Sequence, residues 1–272
     1  MRILNTMPRA MKIKEVREES ELVKTFVLDG SIAAQPGQFV NLWIPGLDEK
    51  PISVALDDGK ELWLTIAAVG PFSKAMHEKV VGDKVGVRGP FGTVFTCEEG
   101  QRLALLAGGY GAAPLYFFAT EASRKGCKIE FIVGARREDL LLYTERAAEL
   151  PGVKVHVATD DGSAGHKGYN TQILEKILEE AGDSDAVSCI YTCGPEVMMV
   201  KAAEMAQKYG TDAQISVERY MKCGFGVCGQ CAVDGLGVPS CISGPVMPLE
   251  RVLQIPEFGK YHRDELGRKH EF

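Results

Sequence analysis

Four of the chain's eight cysteines fall within 19 residues, as Cys223-Gly-Phe-Gly-Val-Cys228-Gly-Gln-Cys231 followed by Cys241. Thiolates are soft anionic ligands, and a group of four brought together suits zinc or iron–sulfur chemistry. The spacing C-x4-C-x2-C with a later cysteine is the plant-type ligand pattern of a [2Fe–2S] cluster. Four thiolates meeting two irons force the loop to curl, and Gly224, Gly226 and Gly229 permit the positive φ and close backbone approach of such a curl. They also let backbone N–H groups point at the sulfurs, which raises a cluster's reduction potential. Structural zinc is the alternative. Zinc sites commonly use two paired Cys-x2–4-Cys knuckles, whereas this chain has one pair with a further cysteine five residues before it. A pair of disulfides is a third reading, disfavoured inside a cell. Cys97, Cys127, Cys189 and Cys193 are scattered, and an isolated cysteine commonly packs as a small hydrophobe.

A second kind of chemistry is carried by glycine turns. Leu105-Leu-Ala-Gly108-Gly109-Tyr110-Gly111-Ala-Ala-Pro114 lies where a strand meets a helix, a turn that presents free N–H groups and the positive helix end to a phosphate. The dinucleotide fingerprint G-x-G-x-x-G is not met, because Pro114 holds the last position, and an ordinary tight turn is the competing reading. Tyr191-Thr192-Cys193-Gly194-Pro195-Glu196 likewise ends a strand and opens a helix, with Cys193 read equally well as a core residue. Thr159-Asp160-Asp161-Gly162-Ser163 follows another strand. An acidic side chain there can accept hydrogen bonds from a ribose and repel a 2′-phosphate; an Asx turn explains the same residues. Lys50-Pro51-Ile52-Ser53 and Ala68-Val69-Gly70-Pro71-Phe72-Ser73 combine a hydroxyl with a cation or a glycine turn, and by themselves are ordinary strand ends.

The elements that must position these residues differ along the chain. Up to about residue 100, short β-branched or aromatic runs (Phe26–Leu28, Gln38–Ile44, Ile52–Leu56, Glu61–Val69, Lys84–Val87) alternate with turn formers such as Pro36-Gly37 and Gly82-Asp83. That pattern predicts a small antiparallel barrel. From Arg102, apolar runs at Leu103–Ala107, Ile129–Val133, Val153–Ala158, Val187–Thr192 and Gln214–Val217 alternate with helical segments. The helices are predicted over Ala112–Arg124, Leu140–Glu149, Thr171–Ala181 and Glu196–Lys208. Near-continuous apolar strands between helices mean a parallel sheet covered on both faces, where ligands sit at the carboxyl ends of strands. After Glu218 neither periodicity survives, and the charged tail from Glu257 is expected to lie on the surface or on a partner. The expected organisation is α/β plus β: an antiparallel barrel over 1–100, a Rossmann-like α/β unit over 101–217 and a small cysteine module over 218–272.

With 45% hydrophobic and 25% charged residues among 272, the chain can bury a sizeable core. A net charge of −6 gives neither nucleic acid nor an anionic membrane a surface to be drawn to. No apolar run reaches the length of a membrane span, and Met1–Lys12 lacks the core of a signal peptide, so a cytoplasmic protein is expected, with Met7 or Met11 as alternative starts. His77, His156 and His166 are expected to be solvated or hydrogen-bonded rather than catalytic.

The order of barrel, Gly-Gly-x-Gly-x-x-Pro and Cys-Gly-Pro resembles the ferredoxin–NADP reductase superfamily. With Tyr220-Met-Lys-Cys-Gly-Phe-Gly-Val-Cys-Gly-Gln-Cys231 attached, the chain is similar to one branch, the electron-transfer subunits of type B dihydroorotate dehydrogenase, from Met11 to about Asp264. The resemblance implies FAD, a [2Fe–2S] cluster and NAD as cofactors. It implies that Ser53 contacts the flavin ring beside Lys50, Pro51 and Ile52, with Gly70 and Ser73 near the FAD phosphates. Gly109, Gly111 and Pro114 would line the dinucleotide site and Cys193 and Gly194 the nicotinamide; from the turns themselves, Gly108 joins the candidate phosphate loop and Asp160 and Asp161 are the candidate ribose contacts. Ser53 and Cys193 are thus the residues implied for catalysis, and Cys223, Cys228, Cys231 and Cys241 for the cluster. Two departures from the family pattern are Lys50 in place of arginine, which loses the bidentate fork, and Tyr110 and Ala112 in place of aliphatic residues.

The resemblance further implies a hetero-oligomer. A partner subunit oxidises dihydroorotate on its own FMN, in pyrimidine biosynthesis, and the electrons pass through the cluster and FAD to NAD+. Two rival readings are the same module serving another complex, such as a sulfhydrogenase, and a colourless zinc-stabilised nucleotide-binding protein. A free-standing flavin reductase is a third.

Overall fold

Strand character begins earlier than the sequence pattern predicts. In a computed structural model, which describes residues 7–182 and 185–272, β1 runs from Arg9 to Ser20 and buries Met11 and Ile13 while charged neighbours line its outer face. Those charges mask the alternation in the sequence. β2 (Val23–Asp29), β3 (Phe39–Ile44), β4 (Asp48–Asp57), β5 (Glu61–Ala67) and β6 (Lys84–Phe91) complete a closed barrel in the order β1-β2-β5-β4-β3-β6. Every neighbouring pair is antiparallel. Inward residues at alternate positions, among them Phe26, Leu28, Val40, Leu42, Leu62 and Leu64, fill its interior. A short helix that sequence reading missed, α1 (Pro71–His77), follows β5 and lays Phe72 and Met76 on the same core.

The second layer is a parallel sheet. β7 (Arg102–Gly108), β8 (Lys128–Ala135), β9 (Val153–Thr159), β10 (His166–Lys167), β11 (Cys189–Cys193) and β12 (Asp212–Ser216) alternate with α2 (Ala112–Arg124), α3 (Thr144–Ala148), α4 (Asn170–Glu180) and α5 (Glu196–Tyr209). The order is β10-β9-β8-β7-β11-β12, so the chain winds outward from β7 on one side and resumes beside β7 with β11. The switch point therefore lies between the carboxyl ends of β7 and β11. The helix predicted over 140–149 is shorter, because Tyr143 takes a left-handed conformation (φ 63°) that delays the start of α3. The histidines are hydrogen-bonded: His77 to Ile66 O, His156 to Glu130 and His166 to Gln172. His156, then Arg102, hold the Glu130 carboxyl down to about 2.

The last part of the chain is more ordered than its sequence pattern suggests. A hairpin of β13 (Ala232–Val233) and β14 (Val238–Pro239) leads into α6 (Ser240–Ser243). Next, β15 (Val246–Pro248) joins the parallel sheet antiparallel to β12, with Ile215 opposite Met247, before α7 (Leu249–Val252). A terminal hairpin, β16 (Tyr261–Arg263) and β17 (Lys269–Glu271), is tied to the β13–β14 turn by Arg263 and Tyr261, both bonded to Asp234. Glu257, expected on the surface, is buried: Arg219 pairs with both Glu257 and Glu196, with all three side chains about 5% exposed or less. A buried charge persists only when partnered, and the partner lies 38 residues away in sequence.

Barrel and sheet are joined through side chains. Phe117 of α2 enters the barrel core. Tyr143 reaches across to the barrel, its hydroxyl 2.6 Å from Thr65 Oγ1 and 3.3 Å from Thr25 Oγ1, and its ring stacks on Tyr116. A non-glycine residue in the left-handed region is held there by its surroundings, here by this buried triad. Among the described residues, no helix is long and apolar enough to cross a membrane.

Candidate functional site

Between the barrel and the switch point lies an open cleft of about 560 Å³. The barrel wall is the start of β4 (Lys50, Pro51, Ile52, Ser53), the end of β5 and the turn into α1, including Gly70 and Ser73. Opposite stand Tyr110, Gly111 and Pro114 from the β7–α2 turn, and Cys193 at the end of β11. The third wall is the strap that leaves β12: Glu218, Arg219, Tyr220 and Met221. An apolar slot of this size with a few convergent polar groups suits a planar aromatic ligand.

The polar groups differ in how free they are. Ser53 is exposed to the cleft. Lys50 is bonded to Asp48 at 2.9 Å and lies 5.8 Å above the Tyr220 ring, so its cation is already positioned. The Ser73 hydroxyl is committed to its own helix start: Oγ accepts from the N–H groups of Val69 and Gly70 and donates to Gly70 O. It shapes the turn beside the cleft and has no free proton to offer a ligand.

At the switch point the two loops interlock. A Cβ on Gly111 would come within 2.6 Å of the Cys193 carbonyl carbon and 2.9 Å of Gly194 N, so only glycine allows this approach. Gly111→Ala is therefore expected to spread the loops by about 1 Å and cost roughly 100-fold in kcat/KM for the nicotinamide substrate. Flavin content should hold, because the barrel wall is untouched; steady-state kinetics with a flavin assay checks both. Burial, with Glu218 nearby, pushes the Cys193 thiol up to about 12, so it stays protonated and is no nucleophile at neutral pH. Burial, then the Glu196 charge, also raises the Glu218 carboxyl. Glu218 lines the cleft and is exposed there. Tyr110 is raised by burial, then Glu218 and Cys193, which places the three groups in one corner.

The cysteine loop adjoins the same cleft. All eight cysteines are free thiols. The four of the motif fall into two pairs, with the Cys223 thiol beside Cys228 and the Cys231 thiol beside Cys241. Burial raises the Cys223 thiol, but N–H donors from Cys228, Phe225 and Val227 outweigh it and bring the thiol to about 7. A hydrogen bond from the Cys241 side chain leads the causes that lower Cys231 to about 6, and Cys241 N–H also donates to Cys231 Sγ at 3.4 Å. Gly224, Gly226 and Gly229 have φ of 82°, 81° and 72°, as the curl requires. One tetrahedral zinc would need all four thiolates at one point, whereas a binuclear cluster needs two per iron. The paired donors suit the second arrangement.

The structure thus brings Lys50, Pro51, Ile52, Ser53, Gly70, Ser73, Gly111, Pro114 and Cys193 to one cleft. Gly108 and Gly109 lie just behind it at the end of β7, and Gly194 packs against Gly108. Asp160 and Asp161 stand apart at the end of β9, two strands from β7, on the exposed surface. Sequence reading missed Glu218 and Arg219 as cleft residues, and the sharing of Phe39 and Met221. These last two line the cleft and also pack with Phe91, Cys231 and Cys241. The available signal was position: Glu218 follows the carboxyl end of a strand, as the recognised loops do.

Two family models match the chain, the oxidoreductase NAD-binding domain over residues 105–204 and the iron–sulfur cluster binding domain of dihydroorotate dehydrogenase B over 218–253. A relative from Methanocaldococcus jannaschii, named probable dihydroorotate dehydrogenase B (NAD(+)), electron transfer subunit, is 44% identical over 96% of this chain and 98% of its own length. One of the same name from Methanothermobacter thermautotrophicus is 42% identical over 97% of each chain. Among solved structures, the NADH-dependent reduced ferredoxin-NADP oxidoreductase studied for flavin-based electron bifurcation superposes with a TM-score of 0.79 at 28% identity, covering 88% of each chain. The ferredoxin reductase of carbazole 1,9a-dioxygenase shares the fold at a TM-score of 0.65 and 20% identity. The barrel, the parallel sheet and the cysteine module accord with these matches along nearly the whole chain, which belongs to the family of dihydroorotate dehydrogenase B electron transfer subunits.

Proposed function

We propose that this chain is the cytoplasmic electron-transfer subunit of an NAD-linked dihydroorotate dehydrogenase, working with an FMN-containing catalytic subunit in a hetero-oligomer that serves pyrimidine biosynthesis. One observation carries the reading. The strap Glu218–Met221 lines the cleft and runs directly into the cysteine loop, and Phe39 and Met221 form a wall common to both. A group in the cleft and a group on the cysteines would be separated by side chains rather than by a domain.

The barrel (1–100) would hold FAD, with Ser53 toward the ring, Lys50 beside the pyrophosphate, and Pro51, Ile52, Gly70 and Ser73 shaping the pocket. The sheet unit (101–217) would hold NAD at the β7–α2 and β11–α5 turns, with Gly108, Gly109, Gly111, Pro114 and Gly194 leaving room for it and Asp160 at the ribose. The module over 218–272 would hold a [2Fe–2S] cluster on Cys223, Cys228, Cys231 and Cys241. When bound, these groups supply the redox chemistry, since a cluster carries single electrons, a nicotinamide takes a hydride, and a flavin handles both. The chain's own residues orient and shield. Cys193 offers a neutral thiol at the nicotinamide end, Glu218 places a carboxyl of raised pKa beside it, and the apolar walls exclude water.

Anaerobic native purification with a visible spectrum tests the reading. Flavin peaks, cluster shoulders and a co-purifying FMN subunit that oxidises dihydroorotate are expected. The same spectrum with a different partner would keep the reductase chemistry and reassign the substrate. A colourless protein containing zinc would overturn both.

A further inference from the structure

The cysteine loop is seated on the barrel strands β3 and β6. Asn41 Nδ2 donates to Lys222 O at 2.8 Å and to Cys223 O at 3.2 Å, which fixes the start of the loop. Phe225, between Cys223 and Cys228, lies 6.4 Å from the Phe91 ring, and Phe91 lies 5.7 Å from Phe39. Beneath this aromatic seat is one buried cation. The Arg88 guanidinium carbon is 5.6 Å from the Phe91 centroid and 5.2 Å from that of Phe225. Its other edge makes a two-pronged pair with Glu49, Nε to Oε1 at 2.8 Å and Nη2 to Oε2 at 2.6 Å.

The pair has a direction. Arg88 is 9% exposed and Glu49 26%, so the cation points inward against the loop and the anion outward toward solvent. Water screens the outer charge more than the inner one, and a buried charge acts at a lower effective dielectric. The loop therefore feels a net positive field even though the pair is formally neutral. A group on the four cysteines becomes more negative when it gains an electron, and such a field favours that state.

We propose that the Arg88–Glu49 pair sets the reduction potential of the cluster, with Arg88 raising it and Glu49 holding that rise in check. The inference rests on the reading that the cysteines bind a [2Fe–2S] centre. The step concerned is a single electron entering from a reductant, with no bond made or broken. Neither residue is a ligand, and both act through the field at the loop.

The test is a dithionite titration of the intact chain, with cluster and flavin loaded, followed by electron paramagnetic resonance at fixed ambient potentials. Glu49→Gln unmasks the cation and should raise the midpoint. Arg88→Met removes it and should lower the midpoint, while Arg88→Lys, which keeps the charge, should stay closer to the unaltered protein. At the original midpoint, the reduced-to-oxidised ratio is expected to change about tenfold in each direction, ~59 mV for one electron. A loosened, more hydrated loop would move Glu49→Gln and Arg88→Met the same way, so shifts of one sign, or none beyond error, overturn the proposal. If Arg88→Met loses its cluster, Glu49→Gln alone decides: a raised midpoint sustains the proposal and an unmoved or lowered one ends it. An unaltered chain with no cluster signal defeats the functional reading first, and this inference with it.

Discussion

Cys228→Ser is expected to abolish the visible absorbance of the cluster and its paramagnetic signal while leaving one flavin per chain. The four motif cysteines are not equivalent structurally. Cys231 and Cys241 are buried in an apolar group with Phe39, Phe91 and Met221, so a serine at either would bury a hydroxyl there and confuse loss of metal with loss of packing. Cys228 is exposed, and serine there removes one sulfur and little else. A serine oxygen is a harder and more basic ligand than a thiolate and holds iron poorly in such a site. Cys228 is not among the residues that line the cleft, whose flavin-side walls come from Lys50–Ser53 and the turn into α1. Spectra, iron and sulfide content and flavin stoichiometry give the measurement. A full cluster spectrum in the variant would remove Cys228 from the ligand set and with it the plant-type reading.

How much of this was legible beforehand depended on range. The motif spacing, the alternation of strands and helices from Arg102 onward and the three strand-end loops are local signals, and of the nine expected residues that meet at one cleft they supplied Gly111, Pro114 and Cys193; Lys50–Ser53, Gly70 and Ser73 read locally as ordinary strand ends and entered only through the family resemblance. β1 was not legible, because its outward charges cover the pattern that Met11 and Ile13 begin. Tyr143 gave no sign either: nothing in Leu-Leu-Tyr-Thr announces a left-handed residue bonded to threonines 78 and 118 positions away. The same holds for Arg219, whose two buried partners come from α5 and from the tail. Arg88 and Glu49 are 39 residues apart and meet only because β3 lies between β4 and β6 in the barrel. Such pairings are properties of topology, and a single sequence carries little trace of them.

The motif fixes ligand types, but what sets their chemistry is the surroundings, and these come from three separate parts of the fold. Cys193 has its titration governed by burial and by Glu218, a residue of another strand end. The cysteine loop is seated by Asn41 and Phe91 of the barrel. The module is therefore not an independent appendage: β15 completes the parallel sheet, and the tail closes on α5 through Gly259, whose N–H donates to Glu196, and on the strap through Glu257, which pairs with Arg219. A cluster module built into both other units keeps the path between its cysteines and the cleft short.

Asp160→Arg is expected to shift the preference of the chain from NAD toward NADP by on the order of 100-fold in the ratio of kcat/KM, about 2.7 kcal/mol. Sequence reading could not choose between Asp160 and Asp161; the structure separates them. The Asp161 carboxylate accepts from Ser163 Oγ at 2.7 Å and from Ser163 N at 2.9 Å, which lowers its pKa and commits it to its own turn. Asp160 is exposed, and among the described residues its carboxylate makes no hydrogen bond or ion pair. Its backbone is anchored, N–H to Ala135 O at 3.1 Å, so the side chain is presented from a fixed point at the end of β9. A carboxylate so placed can accept from ribose hydroxyls and repels a 2′-phosphate. Arginine at the same point reverses the second effect and adds a charge-assisted contact. Asp161→Asn should leave the ratio nearly unchanged, since its role is internal to the turn. Kinetics with both nucleotides on the two variants decide the matter. An unaltered ratio in Asp160→Arg, or a larger change in Asp161→Asn, would place the ribose elsewhere on the sheet.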